Sequence, residues 1–297
     1  MSAQKDRTIV ITGGTGGIGL QSALGLTKTG NRILITGRNQ ERGEAAVQRI
    51  RNETDGPAAV FIQGDLSSMA GIDRLASDIR ASTEKINVLI NNAGYLGSQL
   101  CQSDDGLEMH FAVNVLAPWR LTRALRSMLR VPGQARVLNI TGGDKPARID
   151  PQNLQAEKGF KGLMTYTHSK SVLESMSMCL ARELEPEGIA VNVIFPGRAS
   201  TAMTRSLSSK SLPGPMKLMY PLFRLIFRED GGKSAARAAR STIWGASSPE
   251  IQGITGAYFD THSAESKLHP TAYDPTIQAR IRAVLDAAEG VSGGTPS

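Results

Sequence analysis

The sequence predicts an α/β fold, a doubly wound parallel β-sheet of about seven strands with helices on both faces. Three observations carry that prediction. Short β-branched runs alternate with helical stretches from residue 8 to residue 195. The runs are continuously apolar rather than alternating, as strands buried on both faces must be. A glycine cluster also lies between the first run and the first helical stretch, where a βαβ unit makes its first tight turn.

The first strand covers residues 8–12 (Thr-Ile-Val-Ile-Thr), and the first helix runs from the glycine cluster to residue 29. A strand at 32–36 precedes a charged helix at 40–52. Strand 58–63, helix 70–82 and strand 87–90 repeat the unit. A long helix over 105–129 leads to strand 135–140, and helix 166–184 with strand 189–195 completes the regular part. Strands joined by helices at this spacing make right-handed crossovers and so a parallel sheet. No repeat or low-complexity linker divides the chain, so residues 1–290 are expected to form one domain, with 291–297 a disordered Gly/Ser/Pro tail.

At 297 residues and 40% hydrophobic content, the chain can bury one large core. No run approaches the roughly 18 apolar residues of a membrane span, and the first apolar run is too short for a secretory signal. Cys101 and Cys179 form no CxxC pair, and His110, His168, His262 and His269 lack ligand spacing. Neither a disulfide framework nor a metal site is therefore expected, and a cytoplasmic setting is. The net charge is +7, yet the basic residues are scattered among acids without interleaved aromatics. That pattern argues against a nucleic-acid partner.

Thr12-Gly13-Gly14-Thr15-Gly16-Gly17-Ile18-Gly19 occupies the strand–turn–helix position of a Rossmann-type dinucleotide site. Glycine lets the backbone approach a pyrophosphate, which then sits against the positive end of the helix. Gly13, Thr15, Gly17, Ile18 and Gly19 are the expected contacts. The second strand ends Thr36-Gly37-Arg38, with glycine where an NAD site places its ribose-binding acid. Arg38 offers a planar fork to a 2′-phosphate instead. The expected cofactor is therefore NADP(H) rather than NAD(H).

From these motifs, and from others in the same order, the chain resembles the short-chain dehydrogenase/reductase superfamily. The further motifs are Asp65-Leu66, Asn91-Asn92-Ala93-Gly94, Asn114, Tyr166-Thr167-His168-Ser169-Lys170 (YxxxK) and Pro196-Gly197. Within the superfamily it resembles the retinol-dehydrogenase-like group through Asn153-Leu154-Gln155, His168-Ser169-Lys170, Gly256-Ala257-Tyr258-Phe259 and Ala272-Tyr273-Asp274. Members of that group often carry an N-terminal membrane anchor; this sequence shows none, so membrane residence is not expected. The resemblance implies that Asp65 and Leu66 flank the adenine, while Asn92, Ala93 and Gly94 shape the nicotinamide-ribose side. It places Pro196 and Gly197 by the nicotinamide, and it has Asn114 brace a water that links Lys170 to solvent. A homodimer or tetramer is typical of such proteins.

Tyr166 and Lys170 are four residues apart and share one helix face. A free tyrosine has a pKa near 10, and a nearby ammonium lowers it. Tyr166 would then be the acid/base, with Lys170 both tuning it and, by resemblance, holding the ribose. The family's catalytic serine aligns with Gly142, which has no side chain, and Thr141 precedes it. Three readings stay open: Thr141 substitutes, the substrate supplies the polar group, or the chemistry has changed.

Residues 198–230 are expected to form a substrate lid. Their apolar, methionine-containing stretch 211–228 suits a bulky lipophilic molecule, with packing against the core or a partner subunit, or peripheral membrane contact, as alternatives. The predicted function is an NADP(H)-dependent carbonyl reductase or alcohol dehydrogenase acting on a medium-to-large apolar substrate. The rivals are a non-redox cyclase, isomerase or dehydratase on the same scaffold, and a non-catalytic NADP(H)-binding sensor. An excess of arginine over lysine, 23 to 11, is compatible with bacterial secondary metabolism.

Overall fold

The computed structural model describes residues 5–130, 135–142, 146–206 and 220–290, together with 208, 212 and 218. The first half runs β1 (Thr8–Ile11), α1 (Gly17–Lys28), β2 (Arg32–Gly37), α2 (Gln40–Glu53), β3 (Val60–Gln63), α3 (Met69–Ser82) and β4 (Val88–Asn91). The second runs α4 (Met109–Phe111), α5 (Ala117–Ala124), β5 (Arg136–Ile140), α6 (Leu163–Leu184), β6 (Ala190–Ile194), α7 (Ala202–Arg205) and α8 (Tyr220–Ile226). It ends with α9 (Lys233–Ser247), β7 (Tyr258–Phe259), β8 (Glu265–Ser266) and α10 (Pro275–Ala288).

The strands form one sheet in the order β3-β2-β1-β4-β5-β6-β7-β8. β1 pairs in parallel with β2 (Ile9 opposite Ile33) and with β4 (Ile9 opposite Val88). The order reverses between β1 and β4, and in such sheets a ligand crevice opens at the carboxyl ends of those strands. The continuous apolar runs have a direct cause. Val10, Leu34 and Leu89 point into the core shared with α5 and α6. Ile9, Ile11, Ile33 and Ile90 point into the core under α1. Both faces are dry, so most positions are apolar, and the buried exceptions are hydrogen-bonded, as Asn91 is to Asn139 and Arg136 to the Gly245 carbonyl.

The sheet has eight strands where seven were expected. The extra one, β8, is a two-residue antiparallel edge strand on β7, too short and polar to show in a hydrophobic pattern. The long helix expected over 105–129 is also interrupted. α4 gives way to a π-helical turn at Ala112–Leu116 before α5, and Arg126–Leu129 form a 3₁₀ turn. Pro118 lacks an N–H and cannot close the ordinary helical bond to the Asn114 carbonyl, and π-turns of this kind often mark functional sites. α6 starts at Leu163, which puts Tyr166 inside its first turn. Of the expected lid, α7 and α8 are described, while 207, 209–211, 213–217 and 219 lie outside the described residues. The expected tail, 291–297, lies outside them as well. Among the described residues no helix is long and apolar enough to cross a membrane.

Candidate active site

The crevice at β1 and β4 begins with the glycine turn. Gly13 and Gly17 have φ of +66° and +54°, a region that side chains with a Cβ enter only at a cost. A Cβ at Gly19 would stand 2.5 Å from both Asn92 Nδ2 and the Gly13 carbonyl. Gly19 is thus a close-approach residue behind the cavity wall, whereas Gly13, Thr15, Gly17 and Ile18 line it. Asn92 donates through Nδ2 to the carbonyls of Thr12 (2.9 Å) and Gly13 (3.2 Å). Thr12 Oγ1 accepts from the backbone N–H groups of Asn92 and Ala93. The Asn-Asn-Ala-Gly segment and the glycine turn are therefore one hydrogen-bonded unit. At the N-terminus of α1, Gly16 provides no side-chain cap and the first turn holds no acid. Those N–H groups and the helix dipole together suit a phosphate.

Arg38 lines the cavity beyond β2, and so does Arg42, which sequence reasoning missed. Arg42 belongs to the first turn of α2, where Asn39 Oδ1 accepts from its N–H at 2.8 Å. A solvated residue in a charged helix gives no signal of its own; only the fold turns it toward the crevice. Asp65 and Leu66 line the same end, and Asp65 accepts from Ser67 N at 2.9 Å. Gly94, Pro196 and Gly197 line the opposite end. The whole cavity measures about 1520 Å³, and its glycine cradle, uncapped helix end and paired arginines fit a phosphorylated dinucleotide.

Tyr166, Lys170 and Asn114 converge beside Gly94. A Cβ there would lie 3.4 Å from Asn114 Oδ1 and 3.5 Å from Lys170 Nζ. Asn114 accepts from Tyr95 N (2.8 Å) and donates to the Tyr95 carbonyl and to Ser169 Oγ. Its side-chain amide is fully engaged and ties the π-turn to α6. Lys170 Nζ donates to the Ile140 carbonyl at 3.0 Å. Burial pushes the Tyr166 phenol up to about 12. Burial alone accounts for that direction, because removing the phenolate from water is costly, and the lowering expected from Lys170 is not seen. Burial also holds Lys170 down at about 8, with Glu174 acting the other way.

Position 142 explains the missing serine. A Cβ there would stand 2.4 Å from the Tyr166 hydroxyl, so the tyrosine occupies the space that a side chain would need. Thr141, the residue before Gly142, also lines the cavity. It is 4% exposed and its hydroxyl donates to Glu174 Oε1 at 2.6 Å, so that proton is committed before any substrate arrives. Sequence reasoning also missed Glu174, 3% exposed on α6 and pushed by burial up to about 7. The signal available was its spacing, four residues beyond Lys170. His168 also lines the cavity and accepts from Asp150 N through Nε2 at 3.0 Å.

A parallel sheet with a glycine cradle at its switch point and a Tyr–Lys pair over the same cavity defines a nucleotide-dependent α/β enzyme site. Residues 7–212 match the model of the short chain dehydrogenase family, and the chain belongs to that oxidoreductase family. Within it, the chain falls in the retinol-dehydrogenase-like group. It is 29% identical to retinol dehydrogenase 13 of Mus musculus over 277 residues, covering 93% of this chain and 81% of that protein. It is 29% identical to polyprenol dehydrogenase of Homo sapiens over 283 residues, covering 93% and 83%. The Pseudomonas aeruginosa RhlG/NADP active-site complex superposes with a TM-score of 0.63 at 28% identity, covering 87% of this chain and 95% of that one. A Mycobacterium paratuberculosis protein superposes with a TM-score of 0.73 at 21% identity, which bears on the fold alone.

Proposed function

We propose that the protein is an NADP(H)-dependent carbonyl reductase or alcohol dehydrogenase for medium-to-large apolar molecules, with Tyr166 as the acid/base. The observation that carries this reading is the meeting of the Tyr166 hydroxyl, Lys170 and Gly142 on the wall of the cavity that holds the glycine cradle. Bound NADPH would supply the hydride. The α1 N-terminus would hold the pyrophosphate, and Arg38 and Arg42 the 2′-phosphate. Lys170, positioned by the Ile140 carbonyl, has protons left for the ribose hydroxyls.

A phenol held near 12 is neutral at ordinary pH, which suits proton donation to a developing alkoxide. The Lys170 ammonium would stabilise the phenolate left behind. Because the Asn114 amide is engaged, a water relay to Lys170 would run through its main-chain carbonyl. The named relatives are a retinol dehydrogenase and a polyprenol dehydrogenase, and a cavity of about 1520 Å³ lined by Leu96, Met109, Met164, Met203 and Leu222 suits a large apolar alcohol or carbonyl compound.

The test follows NADPH absorbance with a panel of bulky aldehydes and ketones, beside Tyr166→Phe. Oxidation that disappears in the variant supports the reading. Gly142 favours one rival, a non-redox reaction on the same scaffold. That rival predicts product formation with no NADPH consumed.

A further inference from the structure

Glu174 has no part in the reading above, yet its surroundings are unusual for an acid on a helix. It lies one turn beyond Lys170 on α6, on the face shared with Tyr166. Oε1 accepts from Thr141, while Oε2 is buried with no hydrogen-bond partner among the described residues. Three elements face the carboxylate. α6 itself supplies Lys170, and the segment just after β5 supplies Thr141, a donor that does not titrate. β7 supplies Tyr258, whose phenol is raised first by burial and then by Glu174 and by Asp260. A buried carboxylate costs stability unless a cation or donors meet it, and a methyl-bearing side chain could fill the same space. Its presence calls for a role beyond packing.

We propose that Glu174 is a positioning residue, which from the α6 face it shares with Lys170 fixes the charge of Lys170 and the Thr141–Gly142 segment against which the Tyr166 hydroxyl lies. The proposal rests on Tyr166 and Lys170 being the acid/base pair. As a carboxylate, Glu174 favours the ammonium form of Lys170. Through Thr141 it holds the backbone beside Gly142. With Glu174 raised to about 7 and Lys170 lowered to about 8, both are ionised together only in a narrow neutral window. Acid removes the counter-charge; alkali removes the ammonium.

The test titrates the full chain, labelled with ¹³C at glutamate carboxyls, through the neutral range by NMR. One carboxyl should titrate near neutrality, be absent in Glu174→Gln, and move to higher pH in Lys170→Met. In Thr141→Val, which keeps the charge but removes the donor, it should also move up. An ordinary carboxylate titration for Glu174, or no movement in Lys170→Met, overturns the proposal. A second arm follows NADPH oxidation by Glu174→Gln, which still accepts from Thr141. The alkaline limb of its kcat profile should move down by about one pH unit with KM within about twofold. A uniform loss of rate with the limb unmoved marks a merely structural residue and overturns it too. A wild-type protein that oxidises no NADPH counts against the reaction proposed above, and the NMR arm still decides the role of Glu174.

Discussion

On the wall of the cleft built by β1, α1 and β2, backbone geometry does the holding: positive-φ glycines, an uncapped helix end, and a turn locked to Asn92. On the wall built by β5 and α6, side chains do it. The arrangement there depends on pairs distant in sequence, such as Thr141 with Glu174 and Asn114 with Ser169. The first wall tolerates little substitution because a Cβ meets backbone. The second can be rebuilt by exchanging partners, and at Gly142 the absence of a side chain leaves space that the Tyr166 hydroxyl fills.

Four substitutions or conditions break or sharpen that contrast. Tyr166→Phe should have the largest effect, lowering NADPH oxidation by about 10²–10⁴-fold while NADPH binding, measured by fluorescence titration, stays unchanged. Gly142→Ser comes next. It restores the usual residue type, yet its Cβ would need the space of the Tyr166 hydroxyl. We expect the rate to fall by about tenfold to hundredfold, since a displacement near 1 Å can cost that much. A faster enzyme would show that this wall is more compliant than its contacts indicate.

Arg38→Ala tests the other wall. Losing one charge-assisted bond costs about 1.5–3 kcal/mol, so NADPH should bind roughly tenfold to hundredfold more weakly with NADH affinity unchanged. Calorimetry with both cofactors checks it.

The smallest effect concerns stability. Glu174 is raised from 4.5 unfolded to about 7 folded, so the folded chain binds this proton more tightly. Its stabilising contribution is complete below the unfolded value and is lost as pH rises through about 7. Glu174→Gln lacks that loss. The Tm of the variant minus that of the wild type should therefore increase with pH across this window.

The same contrast decides what was legible in the sequence. Strands buried on both faces are mostly apolar, so β1, β2, β4, β5 and β6 could be located from their short apolar runs, and the glycine turn followed from its place between strand and helix. The interruption at Ala112–Leu116 was hidden, because a π-turn adds a residue to a turn without breaking the apolar pattern; only Pro118 hints at it. The partner of Thr141 was hidden because a hydroxyl beside an active site looks free until its acceptor is known, and that acceptor lies 33 positions later. Glu174 and Arg42 were missed for a related reason. Acids and cations on helices usually face water, and whether one faces a crevice or a core depends on packing against other elements.

The most direct test of the central claim uses NADPH deuterated at the transferable position, with a bulky aldehyde such as retinal. The account predicts deuterium on the carbinol carbon of the product from the wild-type protein, and about 10²–10⁴-fold slower formation of that product by Tyr166→Phe. Product formed without deuterium, with NADPH left intact, would contradict it and assign the site to non-redox chemistry.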